Sequence, residues 1–360
     1  MGYRYIGAKS RILGEIVPVI ESIAPKGSHV ADLMCGTSAV AAELRRRGYR
    51  VTANDLMTYC YHHARVSLLF TTLPEFEKAS AFIEKFFPDR DGELFPLTPY
   101  ERMLKALENV PPEKGYFWRE FSSEGRPRGT DKPRNYFNPA NAQKIDGIRK
   151  QLRHLGETKR LTELERSLLL HDLIMGANDV ANIAGTYGHY MARISGRAKD
   201  PIRLTPTQLL LLDDKGNHRV LQGYAERVAS QITCDLCYID PPYMKRQYAA
   251  NYHILETLAR EDEPEAIGVS GLRPWRDQYS NFCTKTRIRD SFRTIFAEMR
   301  CSHFLISYSE DGLLSLPEME LLLEEFGQVR TLTFANKRFR SNSSELAPSL
   351  MEYLLQLDKR

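Results

Sequence analysis

Val30-Ala-Asp-Leu-Met-Cys35-Gly36-Thr37-Ser38, followed by Ala39-Val-Ala-Ala-Glu-Leu-Arg-Arg-Arg47 and Gly48, is the stretch whose reading decides the fold. An apolar run feeds into small residues and then into strong helix formers closed by glycine. That order spells strand, tight loop, helix and stop. Tyr49-Arg-Val-Thr-Ala-Asn-Asp55 then predicts a second strand, and residues 56–69 a second helix. Two strands joined by a crossover helix are parallel, so the expected class is α/β, a doubly wound Rossmann-like sheet. The pattern resumes with Arg219-Val-Leu221, Asp235-Leu-Cys-Tyr-Ile239 and His303-Phe-Leu-Ile-Ser-Tyr308. Residues 328–334 and 350–357 read as two further strands. A helix over 316–326 precedes them and a basic loop separates them, which predicts an antiparallel C-terminal hairpin on the sheet edge.

Residues 71–214 do not alternate in this way and are expected to form a largely helical insertion, with a catalytic domain built from residues 1–70 and 215–360. Proline and glycine mark loops near 87–92, 110–115 and 125–129. Helical periodicity covers 140–155 and 162–184. The chain has 360 residues, 42% hydrophobic and 27% charged, which excludes disorder and collagen-like repeats. Its net charge of +4 is too small to name a partner. Within 113–160, however, twelve Lys and Arg face six Asp and Glu, so the insertion carries a local excess of six cations.

No apolar run approaches the roughly 18 residues that a spanning helix needs, and the polar, aromatic start lacks the pattern of a secretory leader. Six cysteines in a chain of this length do not suggest a disulfide framework. Cys234 and Cys237 lie in a buried strand and read as small core thiols. A cytoplasmic protein without a membrane partner is therefore expected. His62 and His63 are adjacent on a helix and diverge, so they read as surface residues and no metal site is expected.

The strongest chemical signal is Asp240-Pro241-Pro242-Tyr243 at the end of the strand closing on Ile239. Ligands of open α/β sheets bind at the carboxyl ends of strands. Two prolines fix φ and lack N–H groups, leaving carbonyls that only accept. A carboxylate, a rigid carbonyl and a ring suit an amino group on a planar base. Such an amine is a poor nucleophile, and two acceptors on its hydrogens draw it toward a tetrahedral, more reactive form, while Tyr243 supplies a ring for stacking. A methyl donor needs its own pocket, for which Asp32 to Ser38 offers small residues and Asp55 a carboxylate for ribose hydroxyls. With one glycine this loop is not the dinucleotide fingerprint, and taken alone it is equally an ordinary strand-to-helix turn.

Tyr5-Ile-Gly-Ala-Lys-Ser10, Asp32-Leu-Met-Cys-Gly-Thr37, Asn54-Asp55, Tyr238-Ile-Asp-Pro-Pro-Tyr243 and Arg246-Gln-Tyr-Ala-Ala-Asn-Tyr-His-Ile-Leu-Glu-Thr257 together resemble the adenine-N6 DNA methyltransferases of the Dam-like alpha group, and most of all the FokI-type modification methylases. Asn138 to Arg149 and Ser307 to Leu313 are similar to that family as well. The resemblance implies a class I methyltransferase fold, S-adenosylmethionine as cofactor and site-specific methylation of a flipped adenine in double-stranded DNA, with a companion restriction endonuclease as a genetic partner. It places Tyr5, Gly7 and Lys9 beside the cofactor and target base. Asp32, Met34, Cys35, Gly36 and Thr37 would line the methionine moiety, Asp55 would hold the ribose, and Asp240, Pro241, Pro242 and Tyr243 would be catalytic, Asp240 also touching the cofactor. Two departures from the family pattern are Met34-Cys35 in the glycine loop and Tyr224 where an acidic residue is usual.

Arg246, Tyr248, Asn251 and Tyr252 mix cations, amides and rings as contacts to a distorted duplex require, although a solvated loop leading into a helix has the same composition. Lys337, Arg338 and Arg340 in the hairpin loop are expected to meet phosphates. Alternatives within reach of the same residues are methylation of cytosine N4 or of an RNA amine, or a DNA-binding module with a degenerate cofactor pocket.

Overall fold

The four residues of β1 (His29–Asp32) are all buried, as a strand covered on both faces requires. β1 pairs in parallel with β2 (Arg50–Asp55) on one side and β4 (Thr233–Ile239) on the other. The computed structural model describes residues 5–88, 96–130, 132–212, 214, 217–337 and 349–360. Adding β3 (Arg219–Gln222), β5 (Arg300–Ser309), β6 (Gly327–Lys337) and β7 (Ser349–Lys359) completes a seven-stranded sheet in the order β3-β2-β1-β4-β5-β7-β6. The first five strands are parallel, and β7 and β6 are the antiparallel hairpin read from the sequence. It is β7, the later strand, that joins β5, so it lies inside the sheet and β6 forms the edge.

Alternate residues of each strand feed two core layers. Val30, Leu236, Tyr238 and Leu305 pack with Ile16, Ile20, Leu44, Ala64 and Leu68. Ala31, Cys237, Ile239, Phe304 and Ile306 pack with Phe292, Ile295, Phe296 and Met319. All six cysteines are buried. His62 and His63 are buried as well, 9% and 2% exposed, which corrects the surface reading. Adjacent helical residues do point apart, but their helix (Thr58–Leu69) is covered on most of its circumference, with Tyr59, Cys60, Ala64, Val66 and Leu68 also buried.

The chain separates into two compact units. The sheet unit comprises Ile6–Leu69, Leu212–Tyr248 and Gln278–Arg360; the other comprises Tyr5, Phe70–Leu211 and Ala249–Asp277. The second unit is largely helical. Asn138 caps the helix Pro139–Glu157 by accepting from Asn141 N–H at 2.8 Å, with Pro139 at the first helical position. Thr162 and Glu165 form a capping box that starts Glu163–Asp179. That helix stops short of the expected residue 184 because the Asn182 backbone N–H turns aside to Tyr136 O (2.8 Å) and its side chain bonds Asn135 O and Met191 O.

Gly147 lies inside Pro139–Glu157, where a Cβ would overlap the Pro111 carbonyl oxygen. In an exposed helix interior Gly→Ala adds up to about 1 kcal/mol. Here the sign reverses: Gly147→Ala is expected to destabilise by about 1–3 kcal/mol through overpacking, read as a lower urea midpoint at unchanged slope. A gain in stability would show that the segment through Pro111 yields.

Candidate active site

Backbone bonds stitch the carboxyl edge of the sheet together. Leu33 N–H donates to Tyr238 O (3.0 Å), Cys35 N–H to Asn54 O (2.9 Å) and Gly223 N–H to Asp55 O (3.1 Å). The Asn54 amide bridges Leu33 O and Gly223 O. The ends of β1, β2, β3 and β4 are thereby fixed side by side, and with them Asp32, Asp55 and Asp240. The loop after β1 turns sharply: Gly36 has φ of 50°, as glycine permits, and buried Ser38 adopts the left-handed conformation at 63°. Asp55 holds this loop, its two carboxylate oxygens accepting from Gly36 N–H (2.9 Å) and Met57 N–H (2.9 Å).

Asp32 is 1% exposed, and its Oδ1 has no hydrogen-bond partner among the described residues. Burial, then the charges of Asp240 and Asp55, push its carboxyl well above the ordinary range, against a backbone hydrogen bond from Ala41. An acceptor left unpaired in such a place is expensive and marks a seat for a donor. Met34, Gly36 and Thr37 are half-buried around it, whereas Cys35 is buried.

Lys9 brings the other end of the site. It opens a short 3-10 turn, Lys9–Arg11, and is 6% exposed. Its Nζ stands 3.1 Å from Asp240 Oδ1, 3.8 Å from Glu352 Oε2 and 5.5 Å over the Tyr243 ring. Burial opposes the ammonium charge, but Asp240, Tyr243, Tyr238 and Glu352 together hold its pKa well above the usual lysine value. Burial pushes the Asp240 carboxyl up to about 6, with Lys9 pulling down and Glu352 adding to the rise. Tyr243 packs edge-on against Tyr308 at 5.5 Å, and its carbonyl accepts from Leu313 N–H, fixing the end of the Asp-Pro-Pro-Tyr turn.

The family described as D12 class N6 adenine-specific DNA methyltransferase matches residues 5–320. The chain belongs to that family. Its seven-stranded α/β sheet is the Rossmann-like methyltransferase fold. Over 364 residues it is 31% identical to the type II methyltransferase M.FokI of Planomicrobium okeanokoites, covering 99% of this chain and 52% of that protein. It is 28% identical to the type II methyltransferase M.NlaIII of Neisseria lactamica, covering 99% of both. Modification methylase StsI of Streptococcus sanguinis is 27% identical over 99% of this chain and 52% of its own length. The chain thus spans about half of M.FokI and StsI and nearly all of M.NlaIII.

Among the D12-family site residues expected from sequence, Lys9, Asp240 and Tyr243 meet in one cluster, and Asp32 and Asp55 flank the loop beside it. Exposed Gly7 has φ of 77°, and a Cβ there would lie 3.2 Å from the Tyr248 hydroxyl, which donates to Ile6 O. Arg246 is exposed. In the helical unit Tyr5 stacks on Tyr252 at 5.0 Å, and Tyr252 is fully buried; Asn251 accepts from Tyr187 N–H through its carbonyl. Lys337 ends β6, while Arg338 and Arg340 lie outside the described residues. Tyr224 lines a cavity of about 460 Å³ with Glu226, Arg227, Tyr279, Asn281 and Arg287. No helix among the described residues is long and apolar enough to cross a membrane.

Glu352 was not among the expected residues. It is the one carboxylate in the otherwise apolar stretch Leu350-Met-Glu-Tyr-Leu-Leu of β7, and its burial at 4% is what the sequence alone could not give.

Proposed function

We propose that the chain is a site-specific DNA methyltransferase that moves a methyl group from S-adenosylmethionine to N6 of an adenine flipped out of double-stranded DNA. The observation that carries this reading is Asp240, at the carboxyl end of β4, ionisable near neutrality and held by Lys9 at 3.1 Å in a buried cluster. The cofactor, when bound, supplies an electrophilic methyl on a sulfonium cation. Asp32, Asp55 and Asp240 fit a cation, and the unpaired Asp32 Oδ1 fits the ammonium of its methionine portion. Met34, Cys35, Gly36 and Thr37 would line that portion, the Asp55 carboxylate would face the ribose hydroxyls, and the cavity at Tyr224 would receive the adenine.

Asp240 and the Pro241 carbonyl accept the two hydrogens of the target amine, and Tyr243 and Pro242 bound the base. When bound, the cofactor would offer its methyl carbon to the N6 lone pair, with its sulfur as the leaving group that keeps the carbon–sulfur bonding pair. One proton then leaves N6 for Asp240 and passes to water. Orientation and electrostatics carry the acceleration, with no covalent enzyme intermediate. Gly7, Arg246, Tyr248, Lys337, Arg338 and Arg340 of the sheet unit are further candidates for base and phosphate contacts, as are Tyr5 and Asn251 of the helical unit, whereas Tyr252 is fully buried. The setting is the cytoplasm of a prokaryote or its virus, with a restriction endonuclease as genetic partner.

Incubation with methyl-labelled cofactor and duplex DNA, followed by digestion to nucleosides, is expected to yield N6-methyladenine. Label in N4-methylcytosine or only in RNA overturns the choice of substrate. Duplex binding without cofactor binding in calorimetry overturns the enzymatic reading.

A further inference from the structure

Glu352 lies on β7 of the C-terminal hairpin, beyond residues 5–320, the stretch matched by the family. β7 pairs antiparallel with β5, setting Glu352 opposite Ser309. From there its carboxylate comes within 3.8 Å of Lys9 Nζ, which stands 3.1 Å from Asp240. Packing does not require an acid here: Leu354, Leu355 and Leu357 fill the same strand's buried positions. With both carboxylates ionised, the cluster of Lys9, Asp240 and Glu352 carries a net single negative charge.

We propose that Glu352 is a positioning residue for methyl transfer: by sharing the Lys9 ammonium with Asp240, it keeps the Asp240 carboxylate basic enough to accept the hydrogens of the target amine. This rests on the methyltransferase reading above. Without a second anion, the Lys9 ammonium acts on Asp240 alone and weakens its accepting power. The charged and titratable groups facing Asp240 are Lys9 from the 3-10 turn, Tyr238 on β4, Tyr243 after it, Asp32 at the end of β1 and Glu352 on β7. Burial and Glu352 raise the Asp240 carboxyl while Lys9 lowers it. Removing the Glu352 charge deletes a raising influence and strengthens the lowering one, so both changes act downward.

The test is a carbon-13 carboxylate titration of Asp240 in the cofactor-free protein, assigned with Asp240→Asn. The wild-type midpoint is expected at about 6. Glu352→Gln is expected to lower it by about one unit, the size of a like-charge effect at this range. The acid limb of the single-turnover rate should move with it, and the plateau rate should fall about tenfold, with little change in KM for DNA. Glu352→Asp keeps the charge and is expected to titrate near wild type and recover most of the rate. A folded Glu352→Gln protein with an unmoved midpoint overturns the proposal, as does a Glu352→Asp protein that behaves like Glu352→Gln. If the wild-type chain transfers no methyl group, the functional reading and the catalytic half of this assignment fail together. The titration still decides the charge coupling by itself.

Discussion

Asp240→Ala is expected to lower single-turnover methyl transfer to duplex DNA by about 10³-fold or more, because it removes the charged acceptor that polarises the target amine. Asp240→Asn keeps the shape and one acceptor oxygen but loses the charge, so its rate should fall nearly as far. Cofactor affinity in calorimetry should change much less for Asn than the rate does. That split distinguishes a group acting in the transition state from one that only binds. Near-wild-type labelling by Asp240→Ala would end the assignment. The same carboxylate sets the pH dependence. Only its ionised form accepts with both oxygens, and its pKa is pushed up to about 6, so the rate should climb through about pH 6 to a plateau above it. An acid limb near the ordinary aspartate value would mean that Asp240 is not the titrating group.

Arg134→Ala is expected to destabilise the helical unit by about 3–5 kcal/mol, the usual consequence of breaking a buried ion pair. Arg134 is 1% exposed. It donates to Glu120 Oε2 at 2.8 Å and also bonds Val269 O, Ala266 O and Gly268 O. Its loss leaves Glu120, 2% exposed, with Arg119 and the Arg128 N–H, and takes a donor from the carbonyls of Glu120, Ala266, Gly268 and Val269. The urea midpoint should fall well below that of Lys150→Ala, which breaks only the exposed pair with Glu113 and should stay near wild type. Equal midpoints for the two would overturn this ranking.

That contrast bears on what charge counting revealed. The excess of six cations in 113–160 was correct as arithmetic, yet Arg119, Arg134, Lys144, Arg149, Lys150 and Arg153 are engaged inside their own unit. Arg126, Arg128, Lys132 and Lys159 are exposed. A sequence reports the number of charges but not which of them are already opposite a carbonyl or a carboxylate.

The local alternations that produce the sheet were legible from sequence because they are short-range. Short apolar runs, helix formers closed by Gly48, and a rigid Asp-Pro-Pro-Tyr turn after an apolar strand each follow from the preferences of neighbouring residues. They placed Asp32, Asp55 and Asp240 at strand ends, where an open α/β sheet puts its ligands. Strand order among the last three elements, the burial of His62 and His63, and the grouping of Ala249–Asp277 with the helical unit came only from tertiary packing. So did the pairing of Lys9 with both Asp240 and Glu352. Periodicity states which face a side chain takes but not which strand lies beside it, and the strength of a charge depends on a partner that the fold brings from elsewhere in the chain.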